Sequence, residues 1–188
     1  MTLDQLCLIA MGGNSPSAAG TPAETLLAAV ARLRAEGAVI ETVSRVYRSA
    51  AFPAGSGPDF ANAALTMRLS GPPEEVLALL HRVEAAFGRL RARRWGERTL
   101  DLDLIAMGDR VMPDRATFDL WQRLDPLEQQ RRAPDRLILP HPRMQERAFV
   151  LVPLADVAPG WMHPVLGRSV AEMLAVLPEH DRATVIPL

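Results

Sequence analysis

Leu100-Asp101-Leu102-Asp103-Leu104 alternates apolar and acidic residues with a period of two, the period of a β-strand whose successive side chains point to opposite faces. A strand over Thr99 to Met107 therefore sends its leucines into a core and leaves Asp101 and Asp103 side by side on the other face, their β-carbons roughly 6 to 7 Å apart. Upstream, the apolar run Leu6 to Met11, stopped by Gly12-Gly13-Asn14, reads as a buried strand. Thr21-Pro22-Ala23-Glu24 has capping-box spacing with proline at the first helical position, which predicts a helix from Pro22 to Glu36. Val39 to Tyr47 and Ala63 to Leu69 read as strands two and three. The loop between them, Arg48 to Asp59, carries Pro53, Gly55, Gly57 and Pro58. Pro72-Pro73-Glu74-Glu75 opens a second helix whose Val76, Leu79, Leu80, Val83 and Phe87 share one face. The order is β-α-β-β-α-β: an α+β, ferredoxin-like antiparallel sheet with both helices packed on one face. The uncovered face is where a site could form.

Beyond Gly108 the pattern weakens. Residues 113–136 are polar and proline-bearing and read as an insertion, an excursion from a single domain spanning residues 1–188. Leu137 to Leu139 reads as a short edge strand and Phe149 to Val157 as a short helix. Ser169-Val170-Ala171-Glu172 reads as a second capping box opening a terminal helix.

Composition narrows the chemistry. The chain has 188 residues, 21 basic against 22 acidic, and a formal charge of -1, which argues against a general nucleic-acid or membrane binder. All the basic residues are arginine, so Schiff-base catalysis and the P-loop lysine are excluded. Cys7 is the single cysteine, which excludes an intramolecular disulfide and a cysteine metal cluster. The N-terminal apolar run is too short for a membrane span, and a cytoplasmic location is expected.

Asp101 and Asp103 are spaced to share one divalent cation, or to hold two bridged by a polyphosphate; a solvated strand face has the same pattern. Arg89, Arg91, Arg93, Arg94 and Arg98 crowd the twelve residues before them, and guanidinium forks match phosphate oxygens. Carboxylates beside arginines are the parts that phosphoryl transfer requires. His141, between prolines in Leu139-Pro140-His141-Pro142, is a better functional candidate than His81, which taken alone reads as a half-buried helix residue.

The segment Arg94-Trp95-Gly96-Glu97-Arg98-Thr99-Leu100-Asp101-Leu102-Asp103-Leu104 resembles the signature of the 6-hydroxymethyl-7,8-dihydropterin pyrophosphokinase family. Gly12-Gly13-Asn14, Val46-Tyr47-Arg48-Ser49, Pro58-Asp59-Phe60-Ala61-Asn62-Ala63-Ala64, Gly88-Arg89-Leu90-Arg91 and Leu139 to Phe149 resemble its other blocks, in family order. The resemblance implies transfer of pyrophosphate from MgATP to the hydroxymethyl group of the dihydropterin, with AMP released, in folate biosynthesis. It also implies that Asp101 and Asp103 hold two magnesium ions, with Asp101 near the attacking hydroxyl. His81, Glu84, Arg98, Leu104, His141 and Arg147 would contact ATP, and Arg89 and Arg91 would lie on a loop closing over the phosphates. Phe60 and Phe149 would sandwich the pterin ring with Trp95 nearby, while Asn62, Ser49 and Phe52 would read its polar edge. Family members are commonly monomers, and no nucleic-acid or membrane partner is implied.

Three departures stand out. Ala50 and Ala51 replace family prolines, Glu97 replaces a proline before Arg98, and the arginine loop is one residue shorter. Glu97 and the missing prolines motivate a reading in which the fold is kept and activity lost. A non-catalytic ferredoxin-like module binding a ligand or RNA is the other alternative, though only 5% of residues are aromatic and no R-G-F-x-F-type stacking motif is present.

Overall fold

The computed structural model describes residues 4–51, 55, 57–88, 98–125, 128 and 132–188. The elements are β1 (Gln5–Gly13), α1 (Pro22–Ala35), β2 (Val39–Val43), β3 (Tyr47–Ser49), β4 (Phe60–Leu69), α2 (Pro73–Ala86), β5 (Asp101–Met107), α3 (Arg115–Gln122), a 3-10 turn (Met144–Glu146), α4 (Ala148–Val157), α5 (Val170–Val176), α6 (Glu179–Ala183) and β6 (Ile186–Pro187). Both capping boxes form, at Thr21 for α1 and at Ser169 for α5.

The sheet runs β5-β1-β4-β3-β6 and every pairing is antiparallel. The apolar run of β1 becomes the strand between β4 and β5. The expected single strand from Val39 to Tyr47 is instead two: β2 pairs with Leu65 to Arg68 and β3 with Phe60 to Asn62, both on the same edge of β4. Between them Ser44 keeps contact with β4, donating its N–H to the Ala64 carbonyl at 2.8 Å and accepting the Ala64 N–H on its hydroxyl at 2.8 Å.

One face of the sheet packs on α1 and α2. Cys7, Ile9 and Met11 from β1, Ala63, Leu65 and Met67 from β4, and Leu100, Leu102 and Leu104 meet Leu26, Leu33, Leu80 and Val83 in one apolar cluster. The opposite face is not left bare. Leu8, Ala64, Ile105 and Ala106 pack beneath Val150, Leu151 and Leu154 of α4 and Val170 and Met173 of α5, so the chain after residue 140 roofs half of the face expected to be open. Ala10 packs against the edge of this roof, and both Ala10 and Gly12 of β1 remain partly exposed.

The alternation of β5 also breaks. Leu8 faces Ala106 while Ile9 faces Leu104, leaving Ile105 as the extra residue of a β-bulge. Ile105 and Ala106 consequently both join the second cluster. The region 113–136 is not a free excursion where it is described: Asp114 caps α3 by accepting the Thr117 N–H at 2.8 Å, and the fully buried Phe118 stands edge-on to His163, with ring centroids 5.6 Å apart. Leu139 makes an isolated bridge to Met112 in place of an edge strand.

Candidate active site

Antiparallel register brings the conspicuous residues into two rows across the half-open face. Asp101 pairs with Gly12, Gly12 with Asn62 and Asn62 with Tyr47; one step along, Asp103 pairs with Ala10 and Ala10 with Ala64. Two carboxylates stand on one side, an amide on the other, and glycine and alanine form the floor between them. A β-carbon on Gly12 would lie 3.6 Å from Asn62 Oδ1 and 4.0 Å from the Phe60 ring, so the absence of a side chain there keeps open the space that Asn62 and Phe60 border.

The leucines of the opening motif are buried, with Leu102 2% exposed, while Asp101 and Asp103 remain partly exposed. Arg98 forms an ion pair with Asp101. Asp103 and Asp101 both attract the Arg147 guanidinium, opposing the burial that lowers its pKa. The two acids thus interact with two arginines on a chain of near-neutral net charge.

His141 is tied to this edge by the bulge, since its backbone N–H donates to the Ile105 carbonyl at 2.7 Å. Its ring Nδ1 accepts the Arg143 N–H at 3.1 Å, which leaves the proton of the neutral ring on Nε2. Burial, and then the Arg147 and Arg143 charges, push its pKa down to about 3, so the imidazole is neutral at physiological pH and acts there as an N–H donor.

Glu84, expected at the nucleotide, is 1% exposed and accepts the Leu102 N–H on Oε1 at 2.8 Å. It fixes the backbone between the two aspartates from the helical side, while His81 lies half-buried one turn earlier on α2. Leu104, also expected at ATP, turns its side chain into the α1/α2 core, so only its backbone can face the site. Asn62 Nδ2 donates to Ser49 Oγ at 2.9 Å in a buried contact, which sets the orientation of the amide. Phe60 is half-buried at the start of β4, and Phe149 is 42% exposed in the first turn of α4 with the Arg147 guanidinium 5.7 Å from its ring centroid. Phe52, Arg89, Arg91 and Trp95, together with Glu97, lie outside the described residues.

Asn14 enters the sequence reading only within the Gly12-Gly13-Asn14 block, with no role in the site. Asn14 is 6% exposed and its Oδ1 accepts the Arg98 N–H at 2.9 Å. A polar residue closing a buried strand was the available signal.

Among the described residues no group of three or more His, Cys, Asp or Glu side chains forms a metal cage. The oxygen-only Asp101/Asp103 pair fits Mg2+, which takes few protein ligands and completes its shell with water and phosphate oxygens. No helix among the described residues is long and apolar enough to cross a membrane.

Comparison with known proteins identifies the family. The family described as 7,8-dihydro-6-hydroxymethylpterin-pyrophosphokinase (HPPK) matches residues 8–159. The 2-amino-4-hydroxy-6-hydroxymethyldihydropteridine pyrophosphokinase of Synechocystis is 40% identical over 89% of this chain and 73% of its own. The enzyme of the same name from Haemophilus influenzae is 30% identical over 95% of this chain and 97% of its own. In fold, the chain is similar to the wild-type HPPK-DHPS of Plasmodium falciparum, with a TM-score of 0.62 at 12% identity over 93% of this chain. It spans 45% of that longer protein. A family match across most of the chain and a relative at this identity agree with the fold and with the order of the sequence blocks, and this chain belongs to the 7,8-dihydro-6-hydroxymethylpterin-pyrophosphokinase family.

Proposed function

We propose that this chain transfers the terminal pyrophosphate of ATP to the hydroxymethyl group of 6-hydroxymethyl-7,8-dihydropterin and releases AMP, a step of folate biosynthesis. The observation that carries the reading is the carboxylate pair Asp101/Asp103, set in register beside Gly12 and Ala10 with Arg98 ion-paired to Asp101.

In this reading Asp101 and Asp103 would hold two Mg2+ arriving with ATP, which would supply charge neutralisation of the triphosphate. Arg98 and Arg147 bind phosphate oxygens as planar forks, and the neutral His141 donates from Nε2. Arg89 and Arg91 add charge to the reacting phosphates by their place in the sequence. Phe60 and Phe149 stack on the flat ring, with Trp95 beside them. Asn62, oriented by Ser49, presents its amide to the ring's polar edge, together with the Phe52 segment. A ring lacking the matching groups would leave buried polar atoms unpaired, which is the basis of selectivity. Glu84 acts by fixing the β5 backbone. In the transfer, a bond forms between the hydroxymethyl oxygen and the β-phosphorus. The bond from that phosphorus to the α,β-bridging oxygen breaks, AMP leaves with the oxygen, and the hydroxyl proton is lost beside Asp101. The reading takes the enzyme as a cytoplasmic monomer.

The test is to incubate the protein with ATP, Mg2+ and the pterin and identify the nucleotide product by chromatography. AMP formed only when the pterin is present supports the proposal. ADP would keep phosphoryl transfer but place the attack on the γ-phosphorus, contradicting it, and absence of turnover would favour the reading in which activity is lost.

A further inference from the structure

Asn14 touches no residue assigned to the pterin directly, yet it bonds to both halves of the site. Its backbone N–H donates to the Arg98 carbonyl at 2.9 Å, and the Ser15 N–H reaches the same oxygen at 3.1 Å. Its side-chain Oδ1 accepts the Arg98 N–H at 2.9 Å, so both backbone groups of Arg98 are held by one residue. Its other side-chain atom, Nδ2, donates to the Pro58 carbonyl at 3.3 Å. Pro58 lies two residues before Phe60, whereas Arg98 carries the ion pair to Asp101.

The preceding residue makes this grip feasible. A β-carbon on Gly13 would fall 2.6 Å from the Thr99 carbonyl oxygen, a backbone contact that only glycine permits. The segment after β1 therefore lies directly against the segment entering β5, which brings Asn14 to Arg98. Both partners are backbone atoms, so the contacts set the position of two chain segments and leave the side chains of Arg98 and Phe60 for substrate.

We propose that Asn14 is a positioning residue that couples the two substrate halves of the site. It holds the nucleotide half, Arg98 with Asp101, in a fixed position relative to the ring half, Pro58 to Asn62, so that occupation of one raises the affinity of the other. This rests on the function proposed above. Such coupling is reciprocal, because it is a free energy shared by the two binding events.

The test measures pterin affinity by calorimetry, with and without a non-hydrolysable ATP analogue and Mg2+, and takes the ratio as the coupling factor. Asn14→Asp is the selective variant: it retains an acceptor for the Arg98 N–H and loses the donor to Pro58. Asn14→Ala removes both side-chain bonds. The expected result is that each variant reduces the coupling factor by about fivefold or more while circular dichroism and the thermal midpoint show a folded protein. The pterin KM should rise more than the ATP KM in Asn14→Asp. A folded Asn14→Asp protein with wild-type coupling overturns the proposal. Wild-type protein that binds both substrates with no coupling overturns it too and leaves the proposed function standing. Wild-type protein that binds ATP but neither binds nor turns over the pterin overturns the proposed function itself.

Discussion

The two faces of the central sheet have opposite occupants. One face of β1, β4 and β5 is covered by α1 and α2 with Leu26, Leu33, Leu80 and Val83 on large apolar partners. The other is roofed by α4 and α5 over Leu8, Ala64, Ile105 and Ala106, and then left open where β1 offers only Ala10 and Gly12. The same strands supply both faces, so the difference comes from side-chain volume. Leucine at the even positions of the β5 repeat builds a core, whereas aspartate at the odd positions, beside alanine and glycine, builds a polar surface.

That contrast makes substitutions on the two faces separable. Asp103→Asn or Asp101→Asn should reduce turnover roughly 10²- to 10³-fold, the scale of losing a preorganised electrostatic partner, with the thermal midpoint little changed. Steady-state rates and calorimetric melting read the two quantities, and full activity in both variants would break the assignment. Leu102→Ala, one residue away but directed into the α1/α2 core, should destabilise the protein by about 2 to 5 kcal/mol. Denaturant titration measures this, and residual activity at low temperature should remain because the carboxylates stay in place. Phe149→Ala should weaken pterin binding about tenfold, as expected for losing a stacking aromatic worth about 0.5 to 1.5 kcal/mol beyond its area. ATP affinity should change less.

The smallest expected effect is a pH slope. Burial pushes the His141 pKa to about 3 and that of His163 to about 4, from 6.5. Each ring is held neutral through Nδ1, which accepts the Arg143 N–H in one case and the Val165 and Leu166 N–H groups in the other. A folded-state pKa below the unfolded value gives stability that is complete above about 6.5 and lost as pH falls toward 4 and 3. Thermal midpoints measured from pH 8 downward should be level to about 6.5 and then decline; a midpoint that rises on acidification contradicts the neutral assignment.

The helical face was legible in the sequence because its signals are local. The 3.6-residue spacing in α1 and α2, the Thr21 capping box and the Leu-Asp alternation each depend on a few adjacent residues. The roof was not, since α4 and α5 reach Leu8 and Ile105 only through tertiary packing, and no period in Phe149 to Val157 says which strand it will cover. The bulge at Ile105 was hidden for the same reason: it follows from pairing with β1, and the apolar Ile105-Ala106-Met107 run accommodates either register. The carboxylate pair and the resemblance pointed to the site directly, while the packing of Leu104 and the bond made by Glu84 were not legible in the motif. The side chain of Leu104 is in the core, and Glu84 accepts a backbone N–H of β5.

Whether the small-residue floor defines the site is tested most directly by Gly12→Val. The nearest atoms to a β-carbon there are 3.6, 3.9 and 4.0 Å away, ordinary contact distances, and valine favours a strand, so the protein should fold with a thermal midpoint close to that of the wild type. The measurement is pterin-dependent AMP formation by the folded variant. The account predicts a loss of about 100-fold or more, the scale expected when substrate is displaced from its reacting position. Wild-type turnover with valine in the floor would contradict it.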